Sequence, residues 1–87
     1  MIEKEKFKVF NYIKKHEYIG SMDGMRYMLQ KKDDGMEVVI WPEPNSYGKT
    51  AEELKIRKMF ELSEAGVEEA ADYLNSMFVE LKDLWKK

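Results

Sequence analysis

The chain has 87 residues, of which 44% are hydrophobic and 37% charged, with a formal net charge of −2 at pH 7. That length holds a single domain, 1–87, with one core, and the composition is that of a folded chain rather than a disordered one. Cysteine is absent and histidine occurs once, which excludes disulfides, thiolate chemistry, thiolate metal centres and any metal site built from several imidazoles.

The near-neutral balance hides a division. Residues 1–16 carry Lys4, Lys6, Lys8, Lys14 and Lys15 against Glu3 and Glu5, whereas residues 64–83 carry Glu64, Glu68, Glu69, Asp72, Glu80 and Asp83 against Lys82. Such asymmetry acts on association and steering more than on fold. The N-terminal segment has no apolar signal core, and no apolar run approaches the ~20 residues of a membrane span. A cytoplasmic protein without a membrane partner is expected.

In chain order, Ile2, Phe7, Val9, Phe10 and Ile13 fall within one broad helical arc with lysine-rich flanks, which predicts a helix over about 3–16; Phe7 to Ile13 also alternates as a strand would. His16, between Lys15 and Glu17, reads as a solvated residue near a helix end. Gly20-Ser21 and Asp23-Gly24 then break the chain.

Two β-rich runs follow, Met25 to Lys32 and Met36 to Trp41, on either side of Asp33-Asp34-Gly35, where an Asp-Gly pair signals a hairpin. Alternation sends Met25, Tyr27, Leu29, Val38 and Ile40 to the core. It sends Arg26, Met28, Val39 and Trp41 to the other face, which is expected to be open. Pro42 and Pro44 end the second strand, and the loop beyond them brings Tyr47 near Trp41.

Thr50-Ala51-Glu52-Glu53 matches a capping box and predicts a short helical turn from Ala51. Arg57 to Leu62 reads as a third strand. Val67, Ala70, Ala71, Leu74, Met77, Phe78, Leu81, Leu84 and Trp85 then recur at helical spacing and predict a helix over about 64–86, with Ser63 as its N-cap and Lys86 and Lys87 at its end. Its outer face carries Glu68, Glu69, Asp72, Ser76, Glu80 and Asp83, with Val79 among them. The fold class is α+β in the order α-β-β-β-α: a small three-stranded antiparallel sheet with two helices packed on one face.

Three blocks carry a resemblance: Tyr18-Ile19-Gly20-Ser21 leading to Gly24-Met25-Arg26-Tyr27; Val39-Ile40-Trp41-Pro42-Glu43-Pro44; and Phe60, Leu62-Ser63-Glu64, Gly66, Ala70 and Tyr73-Leu74-Asn75. Together they resemble a group of small hypothetical proteins of Gram-positive bacteria, their prophages and mobile elements. The resemblance implies no activity and no site residues. The element order also resembles that of the double-stranded RNA-binding domain, which reads its duplex with lysines at the start of its last helix. Glu64, Glu68 and Glu69 stand there instead and would repel phosphate. In size, context and charge the chain is similar to anti-CRISPR proteins, the phage inhibitors of bacterial defence nucleases.

Little here points to catalysis. Glu68, Glu69 and Asp72 could share a cation, yet on the outer face of an amphipathic helix such carboxylates are usually solvated. Lys49-Thr50 lacks the upstream glycine of a phosphate loop, since position 43 is Glu43. Of the methionines, Met25, Met59 and Met77 suit the core; Met22, Met28 and Met36 need not all fit inside, and methionines left at a surface adapt to partners.

The expectation is a non-enzymatic domain, without cofactor or metal, that binds another protein or a second copy of itself. The contact surface is expected at Arg26, Met28, Val39, Trp41 and Tyr47. The alternative is an inhibitor acting through the acidic face of Glu68, Glu69, Asp72, Val79, Glu80 and Asp83. Nucleic acid is the less favoured partner, bound in that case through Lys4, Lys6, Lys8, Lys14 and Lys15.

Overall fold

A computed structural model describes residues 2–43 and 47–85, without the side chain of Lys4. Pro44, expected in the loop, and Lys86 and Lys87, expected at the helix end, lie outside the described residues.

The fold is α+β. Its centre is a four-stranded antiparallel meander, β1 (Tyr18–Met22), β2 (Met25–Lys32), β3 (Gly35–Pro42) and β4 (Ile56–Glu61), in spatial order β1-β2-β3-β4. The sheet has one strand more than expected. Asp23 and Gly24 form a two-residue turn with φ of 41° and 99° and close a hairpin between Met22 and Met25. The Asp-Gly pair read as a break is thus itself a hairpin turn. In the next hairpin the turn is Asp33-Asp34, with Asp33 at φ 55°, and Gly35 already pairs with Lys32.

Helix α2 (Glu64–Glu80) lies across one face of this sheet. Ser63 caps it by accepting a hydrogen bond from the Gly66 N–H at 3.0 Å. Glycine is required at position 66, because a Cβ there would overlap the Glu61 carbonyl oxygen. The expected helix over about 64–86 breaks at Leu81, with φ −114° and ψ 27°, and resumes as α3 (Lys82–Trp85). The break turns Trp85 inward, so that its Nε1–H donates to the Met77 carbonyl at 3.4 Å, and leaves Leu84 exposed.

The N-terminal helix expected over about 3–16 is reduced to a single 3-10 turn, Lys4–Lys6, and a short α1 (Phe10–Ile13). Ile2, Phe7, Val9, Phe10 and Ile13 all reach the core, and the weak helix formers Phe7, Val9, Phe10, Asn11 and Tyr12 leave the path of the segment to that packing. The segment is pinned at its start by Asn75, whose Oδ1 accepts from the Ile2 N–H at 2.9 Å and whose Nδ2 donates to the Ile2 carbonyl at 2.8 Å.

The main core lies between sheet and helices. Met25, Leu29, Met36, Val38 and Ile40 from the sheet meet Ala70, Ala71 and Leu74 from α2. Met36 is therefore core and Met22 half-buried, while Met59, expected inside, is half exposed at the β4 margin. The capping box does not act as one. Ala51 is the N-cap of a 3-10 turn over Glu52–Leu54, without a side-chain cap bond, and Thr50 is buried.

Candidate functional site: the helix-free sheet face and the outer face of α2

On the face of the sheet away from α2, register sets Met28 beside Val39 and Arg26 beside Trp41. These residues share a face as alternation predicts, but that face is not open. Met28, Val39 and Trp41 form a second buried cluster, in which Trp41 is only 1% exposed. The chain after β3 returns over them and lays the Tyr47 ring edge-on against Trp41, with centroids 5.6 Å apart. The expected contact surface of Arg26, Met28, Val39, Trp41 and Tyr47 is therefore corrected at its centre. Three of its five residues are packing, Tyr47 is their half-buried cover, and Arg26 alone stands outside the cluster.

The cover is held by charge. Arg57 lies beside Val39 across β3 and β4. Its Nε and Nη2 donate to the two Glu52 carboxylate oxygens at 2.7 and 3.0 Å, its Nη2 also donates to the Tyr47 hydroxyl at 3.0 Å, and its Nη1 donates to Glu37 at 3.0 Å. The Lys55 ammonium sits 3.8 Å above the Tyr47 ring. Buried Glu37 also accepts from Gln30 at 2.9 Å and Lys32 at 3.4 Å. The Arg57 hydrogen bond holds the Glu52 carboxyl below the usual glutamate range, and Glu52 and Tyr47 hold the Arg57 guanidinium above its ordinary value. Sequence reasoning missed this latch. Its one visible signal was Glu37, a charge in a strand otherwise apolar from Met36 to Trp41.

Arg26 contrasts with Arg57. Its Nε is shut off from solvent without a hydrogen-bond partner, and no ion pair reaches it among the described residues.

On the outer face of α2, Glu68, Glu69, Asp72, Ser76, Val79 and Glu80 are all exposed, as is Glu64, and Val79 is 55% exposed in their midst. Asp83, expected on the same face, is exposed too but lies in α3, beyond the break at Leu81. Among the described residues, none of Glu64, Glu68, Glu69, Glu80 and Asp83 belongs to an ion pair. His16 is exposed at the end of α1, in ring contact with Tyr12. Among the described residues no group of three acids or histidines is placed to hold a metal ion, and no helix is long and apolar enough to cross a membrane. A hollow of about 90 Å³ lies between Phe7, Phe10 and Val67, and larger depressions of about 370 Å³ beside Ile2, Ser21 and Tyr27 and of about 410 Å³ beside Asn75, Ser76 and Val79 lie on the surface.

Comparison with protein-family models, with curated proteins and with solved structures finds no match to this chain. The fourth strand also separates its element order, α-β-β-β-β-α before the terminal turn of α3, from that of the double-stranded RNA-binding domain.

Proposed function

We propose that this chain is a non-enzymatic protein-binding domain that meets a basic surface of another protein with the outer face of α2. One observation carries the reading: the carboxylates of that face are exposed and, Asp72 apart, form no ion pair among the described residues. Glu64 suits the positive start of the helix, but helix stability does not account for the rest. Glu64, Glu68 and Asp72 follow one another at four-residue steps, where like charges cost about 0.2–0.5 kcal/mol per pair. Glu80 ends the helix, where the macrodipole disfavours an acid, and no basic residue occupies that last turn. A cationic partner surface, such as a groove that otherwise holds a nucleic-acid backbone, relieves both costs, and Val79 supplies an apolar contact at the centre. In this reading the domain acts as an inhibitor by occupying that groove.

The test is affinity capture from the native host with the wild-type chain and with a Glu68→Lys, Glu80→Lys variant, at low and high salt. The wild type is expected to retain a basic protein in a salt-sensitive manner and the variant to lose it. Equal capture by both would overturn the reading.

A further inference from the structure

The strand absent from the sequence expectation leaves one margin of the sheet open. In a two-residue hairpin the residues that close the turn exchange both ladder bonds, and bonded pairs alternate from there. Met22 and Met25 close the first turn, so Tyr18, Gly20 and Met22 spend their N–H and C=O groups on β2. The Glu43 N–H bond to the Gly24 carbonyl, 2.9 Å, fixes the same phase from β3. The N–H and C=O groups of Ile19 and Ser21 therefore point away from the sheet, and no hydrogen bond reaches them among the described residues. Strand β1 carries no charge, proline or bulge. The other margin, β4, exposes Arg57, Lys58 and Glu61, charges of the sort that keep natural edges from pairing.

The side chains along this margin are arranged unevenly. On the face away from α2, Ile19 is 49% exposed, yet it ends a row whose next members, Met28 and Val39, are buried. On the α2 side Gly20 leaves a gap, across which the Tyr27 ring reaches so far that a Cβ would lie 2.6 Å from its hydroxyl. An open depression of about 370 Å³ adjoins it, lined by Ile2, Ser21, Met22, Asp23 and Tyr27. Lys15 and Glu17 before the strand and Asp23 after it are exposed, and none belongs to an ion pair among the described residues.

We infer that β1 is a dimer interface, at which a second copy of the chain pairs its own β1 antiparallel about a two-fold axis at Ile19. The two four-stranded sheets then join into one. This register lengthens β1 by Glu17 and bonds Ile19 to Ile19, with Glu17 bonded to Ser21 on either side. Ile19 against Ile19 runs the buried row of one copy into that of the other. On the α2 side, Tyr18 of each copy lies opposite Gly20 of the other, where an aromatic ring covers an edge glycine. The Lys14-Lys15 turn of each copy arrives at the end of β1 where Asp23 of the other stands, so opposite charges meet at both ends. A turn about Gly20 does none of this. It bonds only Ile19 to Ser21, sets glycine against glycine, and brings Glu17 level with Asp23, a like-charge pair. The two-fold is normal to the sheet, so both α2 helices lie on one side and their outer faces stay free.

One short strand from each copy is a small contact, so dissociation at about 10–100 μM is expected. Sedimentation of the full chain from about 5 μM to about 1 mM should pass from monomer to dimer, with amide exchange at Ile19 and Ser21 slowing in step. Ile19→Lys sets two like charges together on the axis and should weaken association about tenfold or more. The chain has no cysteine, so single-cysteine variants read the register. In Ile19→Cys the two Cα atoms lie about 5.5 Å apart, within disulfide reach, and in Ser21→Cys about 14 Å apart. Oxidation should cross-link the first variant and not the second. A chain that stays monomeric throughout that range, a dimer whose Ile19 amide exchanges freely, an Ile19→Lys variant that associates like wild type, or preferential cross-linking of Ser21→Cys would each overturn the inference.

Discussion

Trp41 and Tyr47 meet edge to face, their ring centroids 5.6 Å apart and their planes at 70°. The contact closes the sheet face that carries no helix, and it makes the tract from Val38 to Trp41 buried on both sides of the sheet. A tryptophan that reads from sequence as a recognition residue is instead the anchor of a second, smaller core.

Trp41→Ala is accordingly expected to cost about 3–5 kcal/mol of folding stability, the usual range for deleting a buried aromatic. Urea denaturation measures it. A loss below about 1 kcal/mol, the level of an ordinary surface change, would mean that Tyr47 does not cover the ring in solution.

The latch at Arg57 predicts a pH dependence. Its hydrogen bond is the main cause of the lowered Glu52 pKa, with the charges of Arg57, Lys55 and Lys32 adding to it. A depressed carboxylate value contributes stability that is present above the ordinary glutamate value of 4.5 and is lost as pH falls through the lowered one. Arg57→Met should therefore flatten the acid end of the stability–pH profile. At neutral pH it should cost about 1–2 kcal/mol, because buried Glu37 keeps only Lys32 and Gln30. Denaturant melts at stepped pH check both; an unchanged acid limb would contradict the latch.

Helix propensity alone makes Gly66→Ala stabilising by about 1 kcal/mol. The close approach of α2 to the end of β4 reverses the sign, since the new methyl meets the Glu61 carbonyl. A loss of about 1–3 kcal/mol is expected. Gly48→Ala is the control: a Cβ there meets nothing within 4 Å, and thermal melting should place it within about 0.5 kcal/mol of wild type.

For the acidic face, Glu80→Lys replaces an acid by a base at the end of α2. It should raise stability by about 0.3–1 kcal/mol while weakening partner capture. A variant that loses both would show that Glu80 has a structural role instead.

Much of the architecture was legible because it is periodic. Alternation from Met25 to Trp41 gave the central hairpin, and three- and four-residue spacing from Val67 to Leu81 gave α2, because burial on one side writes itself into a single segment. Strand β1 was not legible, since Gly20 and Ser21 have little strand preference of their own. The Tyr27 ring lies over Gly20 and supplies the packing that the glycine lacks. The burial of Trp41 depended on where Tyr47 returns, and the orphaned Arg26 on which acids come near; neither is a property of any local window. The alternation placed Met28, Val39 and Trp41 on the correct face and left open what covers it.

The meander also bears on how this chain acquires its structure. Every strand pairs with its neighbour in sequence, so the sheet zips through two tight turns and one loop between β3 and β4, without any long closure. Folding should be fast for a sheet protein and should begin in the β2–β3 hairpin. The mutual bonds of Ile2 and Asn75 join residues 73 positions apart and belong to the last event. In native-state hydrogen exchange the segment from Ile2 to Ile13 should open first and at low free energy, while the sheet beneath it stays closed.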